Sequence, residues 1–432
     1  MKKFLKSKLL ILIILGIFIL DLTNDFSLVD IKETALVVAL GVDKQDDEYE
    51  VSAQIAVPQA TDQAASNKST VISGKGKTIA LALKNIGSHT GWYIKLAFCN
   101  VIILGEGIFD DDVMVCLDYF IRTDRINDSA ELCAAEGSAK EIVSAVNPMD
   151  QLSAFSLTKI LERSAESASA VAFMNMKEFA MGYYDKSGFS AMPIIKLIPT
   201  DGGESSTGSG GGDSQSGGGS SSGSGGGNSQ SGGGSSSGSG GDSQSGGGSS
   251  SESGGGDSKE KIFDATTTAL FSNGKRVMDF TSEQTLTYNL LSHKSNETSF
   301  PLKNVDDNGK NADIVINIRD NRSKKTLKIE DGVPVLHIKL SINVRIEDSS
   351  VVSDPKELST GYAVQNNVIT ALEKDLEKKY KELFELTRAA DCDIFEIKNK
   401  LYRTHNNYYE GLKDIVLRDA DVKVEIDAKS YK

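Results

Sequence analysis

The segment Gly76-Lys77-Thr78, between a predicted strand and a predicted helix, has the residue types of a phosphate-binding loop. In such a loop, backbone N–H groups and the lysine hold phosphate oxygens while the hydroxyl binds Mg²⁺. The motif also requires a glycine five residues before Gly76, and Val71 occupies that position. The sequence therefore favours a glycine turn that leads into a helix capped by Thr78.

Histidines and aspartates form no catalytic or metal-binding pattern either. The four histidines, at positions 89, 293, 337 and 405, lack the spacing of metal ligands. His337 falls on the polar phase of an alternating strand, which favours contact with solvent over a catalytic role. Residues 110–112, three aspartates, are typical of an exposed helix start, and no Gly-x-Ser-x-Gly motif occurs. The sequence predicts no catalytic, cofactor-binding or metal-binding residue, and an enzyme assembled from scattered residues remains the alternative.

The cysteines give no sign of a zinc site or a redox motif. Cys99, Cys116, Cys133 and Cys392 include no Cys-x-x-Cys pair and no spacing typical of zinc ligands. We expect buried free thiols, and a disulfide in the N-terminal part of the chain is the alternative.

The element around which the C-terminal part is organised is a long helix predicted over residues 364–390. Leucines and valines recur there at steps of three and four residues, and charged residues fill the remaining positions. Residues 335–346 before it and 421–427 after it alternate between apolar and polar side chains, as half-buried strands do. The pattern indicates a helix that packs on a sheet.

The remaining patterns predict an α+β or mixed α/β fold of several domains, in which helices flank mixed sheets and the long C-terminal helix packs on an antiparallel sheet. Because a helix separates strands 70–73 and 101–104, the N-terminal part should contain a parallel pair. Strands are predicted at 35–41, 49–57, 70–73, 101–104, 130–134, 266–271, 275–280, 314–318, 326–330 and 335–346. Helices are predicted at 78–89, 108–122, 139–146, 151–164, 175–181 and 282–291, the last with Ser282 as its cap.

Composition divides the chain into four parts. Residues 1–27 form an N-terminal membrane anchor or signal segment, 28–200 an N-terminal α/β region and 259–432 a C-terminal α+β domain. Between them, residues 201–258 consist almost entirely of glycine and serine, with a recurring Ser-Gly-Gly-Gly-Ser-Ser-Ser unit. Such a segment cannot bury enough apolar surface to offset its backbone entropy, so we expect a disordered linker.

The N-terminus predicts attachment to a membrane. Four lysines within the first eight residues precede the apolar run 9–20, and Asp21 and Asp25 follow it. This charge order places the rest of the chain on the extracytoplasmic face. The run is short for a membrane span. We nevertheless expect it to remain as an uncleaved anchor, and the alternative is cleavage of this segment and release of the chain from the membrane. The net charge of −13 argues against binding to nucleic acid and against flat adsorption on anionic lipid.

Three stretches together carry a resemblance to a known family. They are residues 35–44 in the predicted first strand, the turn 74–78, and the run from 371 through the Asp391-Cys392-Asp393 turn to the strand 421–428. In their order and spacing they resemble the Ger(x)C family, the C subunits of spore nutrient-germinant receptors. Almost the whole chain outside residues 201–258 is similar to this family.

The resemblance implies a non-catalytic, membrane-attached subunit on the outer face of the spore inner membrane. Its implied partners are an A-type receptor subunit and a polytopic B-type subunit. Family members carry a lipid-modified cysteine, but here Leu28 stands in its place and Val29 replaces the following tryptophan, although Asp30 and Glu33 match. Lipid modification is therefore not expected. The alternative function is that of an extracytoplasmic ligand-binding protein that acts alone.

Overall fold

The computed structural model describes most of the chain outside the predicted N-terminal anchor and the predicted linker. The described residues are 13–16, 33–56, 69–123, 125–145, 147, 152–163, 171–172, 174–199, 261–292, 297–307, 309–351 and 363–431. Within these ranges no helix is long and apolar enough to cross a bilayer. The predicted anchor 9–20 lies outside them except for one helical turn at 13–16, and so does the predicted linker 201–258.

Nine of the described strands form the first sheet. They are β1 (Thr34–Gln45), β2 (Glu48–Ala56), β3 (Ser69–Gly76), β4 (Tyr93–Lys95), β5 (Val101–Leu104), β6 (Glu131–Ala135), β7 (Phe189–Pro199), β8 (Lys261–Ser272) and β9 (Lys275–Phe280). Their order is β3-β2-β1-β5-β6-β7-β8-β9, with the short β4 beside the start of β1. The pairs β1–β5, β5–β6 and β6–β7 are parallel, whereas β1–β2, β2–β3 and β8–β9 are antiparallel. The sheet is therefore mixed, as predicted.

Helices cover both faces of this sheet. They are α1 (Ile79–Thr90), α2 (Val113–Arg122), α3 (Ala139–Ser144), α4 (Ser153–Arg163) and α5 (Met176–Tyr184). Helices α1, α2 and α5 pack on the face that carries Ile102 and Leu104, and α3 and α4 pack on the face that carries Val101 and Ile103. Strand β5 is apolar throughout because both of its faces are buried.

The second sheet consists of β10 (Glu297–Asp307), β11 (Lys310–Glu330), β12 (Val333–Ser349) and β13 (Asp421–Ser430), in that order. The first three strands are antiparallel, and β13 is parallel to β12. The predicted long helix is α7 (Asn366–Ala389), and it packs on this sheet through Leu372, Leu376 and Tyr380, all buried. Helix α6 (Ser282–Ser292) precedes the sheet, and three short helices, α8 (Ile397–Thr404), α9 (Asn406–Leu412) and α10 (Val416–Asp419), lie between α7 and β13.

Several predictions of individual elements were wrong. The parallel pair expected in the N-terminal part is present as β1 and β5, but β3 and β5 do not pair with each other, since β2 and β1 lie between them in the sheet. Residues 314–318 and 326–330 belong to one strand, β11, whose register shifts between Arg319 and Arg322. Helix α6 is capped by Thr281, not Ser282: the Thr281 hydroxyl accepts from the Gln284 N–H, and the Gln284 side chain accepts from the Thr281 N–H.

The hairpin β8–β9 joins the first sheet and not the second, although it follows the predicted linker. The strands of the first sheet thus come from both of the regions 28–200 and 259–432. That division of the chain stays a prediction.

Candidate functional site

The glycines of the predicted phosphate-loop segment serve close packing between β3 and α1. A Cβ atom on Gly74 would overlap the carbonyl oxygen of Ala82, and one on Gly76 would lie 2.8 Å from the Ala82 nitrogen. The Thr78 hydroxyl accepts a hydrogen bond from the Leu81 N–H at 3.3 Å and so caps α1. The segment is the capped glycine turn that the sequence favoured.

Asp43, in the stretch that resembles the family's first strand, caps a helix with its side chain. Its carboxylate accepts hydrogen bonds from the N–H groups of Ala139 (2.8 Å) and Lys140 (2.9 Å) and from the Ser138 hydroxyl (3.1 Å). In α/β proteins, ligand phosphates commonly bind at helix N-termini beyond the carboxyl ends of the strands. Here the Asp43 carboxylate occupies the position at the N-terminus of α3 that a ligand anion would otherwise take.

Asp393, in the Asp391-Cys392-Asp393 turn, also caps a helix with its side chain. Its side chain is 1% exposed. The carboxylate accepts hydrogen bonds from the Ile397 and Lys398 N–H groups, both at 2.8 Å, at the start of α8. Burial raises the pKa of Asp393 to about 6, although these two donors favour the ionised form. The motif residue therefore stabilises local structure.

The turn Asn273-Gly274 connects several elements of the fold. The Asn273 N–H donates to the Gly188 carbonyl at 2.8 Å, and the Gly274 carbonyl accepts from the Val113 N–H at 3.0 Å. In addition, the Ser272 hydroxyl donates to the Asp391 carbonyl at 2.9 Å. We call residues 272–274 the junction turn, because it bonds to α2, to the start of β7 and to the motif after α7.

The structure does not bring the histidines together. His337 hydrogen-bonds Glu330 at 2.7 Å, and the His405 ring bonds the Leu327 carbonyl at 3.0 Å. His89 is exposed, and His293 lies outside the described residues. In the described ranges, no group of three or more His, Cys, Asp or Glu side chains could hold a metal ion.

All four cysteines are buried free thiols, which confirms that prediction. Burial raises the pKa of Cys99 and of Cys116 to about 12 and raises those of Cys133 and Cys392 as well. The thiols therefore stay protonated at neutral pH, and thiolate chemistry is not expected of them.

Glu131, which sequence reasoning did not single out, is a buried carboxyl group at the start of β6. It is 6% exposed. One of its oxygens and the Thr158 hydroxyl on α4 have no hydrogen-bond partner among the described residues. Burial, with a smaller contribution from the carboxylate of Glu162, raises the pKa of Glu131 to about 7. Such a group can exchange a proton near neutral pH.

The raised pKa predicts how Glu131→Gln changes stability with pH. Because the folded-state pKa of about 7 exceeds the ordinary value of 4.5, the stability that Glu131 contributes is fully present below pH 4.5 and is lost as the pH rises through about 7. We therefore expect Glu131→Gln to raise the free energy of unfolding at pH 8 by ~1–3 kcal/mol, with little gain at pH 5. Thermal unfolding at both values checks this.

The matched control is Glu162→Gln, because Glu162 is an exposed glutamate on α4. We expect it to leave most of the pH dependence in place. An equal gain at pH 5 and pH 8 for Glu131→Gln would contradict the role of the buried charge.

The outer surface of α1, α2 and α5 contains three adjoining grooves. The first, of about 760 Å³, lies between α1 and β4, and the second, of about 480 Å³, lies between α1 and α2. The third, of about 770 Å³, lies between α2 and α5 and is lined by Ile121, Met181 and Tyr184. Met181 and Tyr184 are 63% and 73% exposed. We call this surface the helix-layer face, and its exposed apolar side chains make it a candidate site for binding a partner.

Comparisons with known proteins match both folded parts. Residues 27–197 match the family model of the spore germination protein N-terminal domain, and residues 266–430 match that of the spore germination B3/GerAC-like C-terminal domain. Spore germination protein B3 of Bacillus subtilis (strain 168) is 30% identical over 137 residues, which cover 31% of this chain and 36% of that protein. The chain thus matches about a third of that relative's length.

Among solved structures, the crystal structure of the GerBC protein aligns with 93% of this chain and 100% of that chain, at 16% identity and a TM-score of 0.48. The two family models together cover well over half of the 432 residues. The resemblance found in the sequence motifs is confirmed, and the chain belongs to the Ger(x)C family of spore germination proteins.

Proposed function

We propose that this chain is a non-catalytic, membrane-attached subunit of a spore germinant receptor and is needed for nutrient-triggered germination. The observation that carries the proposal is the match of both folded parts to spore germination domains. The roles of the motif residues support the non-catalytic part. Asp43 and Asp393 cap helices and Gly76 packs against α1, so the motifs maintain the fold.

The proposed site of action is the extracytoplasmic face of the spore inner membrane, with the run 9–20 as anchor. Since Leu28 offers no thiol for acylation, metabolic lipid labelling should leave the protein unlabelled. The protein should nevertheless stay with membranes after a carbonate wash. Recovery of a soluble, processed form that begins near Ser27 would contradict the proposal that the run 9–20 remains as an anchor.

The proposed partners are the A-type and B-type receptor subunits. Within the helix-layer face, the groove between α2 and α5 supplies a surface for such contacts, because its exposed apolar side chains, Met181 and Tyr184, are flanked by charged ones such as Asp128 and Lys177. Detergent extraction of spore membranes, followed by purification of this chain, should recover both subunits. Recovery of this chain alone under several mild detergents would contradict the assembly.

The function itself is tested by deletion of the gene in a strain without redundant receptors. We expect spores to lose nutrient-triggered release of their contents while they still respond to a trigger that bypasses receptors. Complementation by the intact gene should restore the nutrient response. Normal responses to every nutrient after a clean deletion would overturn the proposal.

The second candidate is a stand-alone ligand-binding protein, and the groove between α2 and α5 favours it. Its volume of about 770 Å³ lies within the range of small-molecule sites. A ligand at about 100 times its Kd would raise the free energy of unfolding by about 2.7 kcal/mol. Thermal-shift screening of the purified chain, with Met181→Asp as the variant that should lose the shift, distinguishes this candidate.

A further inference from the structure

Three aromatic side chains are exposed close together in the segment between α1 and β5. Trp92, Tyr93 and Phe98 are 39%, 59% and 53% exposed. Large aromatic side chains are usually at least partly buried in folded proteins, so three exposed ones within one short segment suggest a site of interaction. We call these three residues the aromatic edge.

The pairing of β4 places the aromatic edge where the first sheet begins. Tyr93 is opposite Thr34, the first residue of β1, and Lys95 is opposite Leu36. Further along, the Asn100 N–H donates to the Val38 carbonyl at 3.0 Å, so the whole segment runs beside the start of β1. The aromatic edge therefore lies at the point where the chain enters the first sheet.

The chain before this point is short. Only residues 21–33 separate the apolar run 9–20 from Thr34. Even a fully extended stretch of this length spans at most about 45 Å, and a flexible one averages roughly 20 Å. If the run is held in a membrane, the aromatic edge is the part of the first sheet that is tethered nearest to it.

Three basic residues lie near Trp92 and Tyr93 of the aromatic edge, whereas the chain as a whole carries a net charge of −13. Lys84 and Arg125 line the adjoining groove together with Trp92, and Lys95 follows Tyr93 in β4. None of these three cations forms an ion pair within the part of the chain that the structure describes. Glu33 is the acidic residue in that groove. The local positive charge is complementary to anionic lipid headgroups.

We propose that the aromatic edge lies in the headgroup region of the membrane that holds the anchor, with Lys84, Lys95 and Arg125 against anionic lipid. Tryptophan and tyrosine are enriched at this depth, because their rings are apolar and their N–H and O–H groups remain hydrated. This orients the first sheet relative to the bilayer. The inference rests on the proposed membrane attachment of the chain.

Trp92 is the only tryptophan in the sequence, so its fluorescence reports on this edge alone. The full chain is reconstituted into vesicles that contain anionic lipid, with or without brominated acyl chains. We expect brominated lipid to quench Trp92 emission, the emission maximum to shift to shorter wavelength than in lipid-free detergent, and iodide to quench it less. Lys84→Glu with Lys95→Glu should reduce the lipid quenching in anionic vesicles.

A control variant moves the fluorophore. Trp92→Phe with Tyr408→Trp places the single tryptophan on α9, beside the second sheet, where Tyr408 is 50% exposed. We expect iodide to quench this tryptophan and brominated lipid to leave it unaffected. Equal lipid quenching of both variants would overturn the proposal, since it would indicate nonspecific adsorption.

Flotation of the vesicles separates the two proposals. If the chain does not float with the lipid, membrane attachment itself has failed. If it floats while Trp92 remains open to iodide and insensitive to brominated lipid, the aromatic edge does not contact the membrane and this inference is wrong. Protection from iodide that appears only when receptor subunits are added would also overturn it, because a protein would then cover the edge.

Discussion

Leu376→Asp is expected to unfold the second sheet together with α7. Leu376 is fully buried, in one apolar cluster with Ile338 and Leu340 of β12. An aspartate there would place a carboxylate without a partner in an apolar layer, and the loss of the leucine contacts would add to this. We expect a decrease in the free energy of unfolding of about 4–5 kcal/mol or more. Circular dichroism and limited proteolysis of the purified chain measure it.

Lys378→Glu is the matched control, two residues along the same helix. Its side chain is 74% exposed and lies 3.7 Å from Glu382, one turn away. Reversal of the charge places two glutamates at this spacing, which costs a few tenths of a kcal/mol. Under the proposed function, Leu376→Asp should abolish the nutrient response of spores through loss of the subunit, whereas Lys378→Glu should leave the abundance of the subunit normal. Similar stability of the two variants would show that α7 does not pack as described.

The second large effect is expected from Gly274→Ala in the junction turn. Gly274 has a φ of 77°, and a Cβ atom there would overlap the Asp112 carboxylate and lie 2.9 Å from the Tyr183 ring. Asp112 would have to move. Its side chain caps α2 by accepting from the Met114 N–H at 2.8 Å, and it accepts the Tyr183 hydroxyl at 3.0 Å. We expect a total cost of about 2–5 kcal/mol, from strain, the lost cap and the lost hydrogen bond.

Gly332→Ala isolates the backbone part of that cost. Asp331-Gly332 has nearly the same geometry as Asn273-Gly274, with φ values of 50° and 85° against 48° and 77°. Nothing lies within 4 Å of a Cβ atom at Gly332. Its replacement should therefore cost only about 1–2 kcal/mol, the strain of a left-handed alanine. Chemical denaturation gives both values, and equal destabilisation would mean that Asp112 adapts freely.

The long helix could be predicted from sequence to within about two residues, because its apolar stripe determines both its period and its buried face. The predicted bounds were 364–390, and α7 spans Asn366–Ala389. Likewise, the sequence Asn-Gly at 273–274 between two strands is typical of a tight hairpin turn, and both residues adopt the positive φ values that such a turn requires. These features depend on neighbours in the sequence.

Features that depend on distant contacts could not be predicted. Strand β7 was missed because it is apolar without alternation and contains Pro193; its pairing with β6 is confined to Ile194 and Ile195, after the proline. Packing likewise decides whether the hairpin β8–β9 joins the first or the second sheet. The local sequence of the hairpin does not distinguish the two. For Glu131, the raised pKa follows from burial under α4, which no local pattern reveals.

The neighbouring positions of β7 and β8 have a consequence for biosynthesis. The ribosome completes β7 at Pro199 and begins β8 only at Lys261, so the nascent first sheet carries an open edge while the intervening residues are made. Unpaired strand edges are sites of aggregation, and contacts between distant residues form slowly. A premature stop codon between these strands would leave that edge exposed permanently, so such fragments should be degraded and should not accumulate.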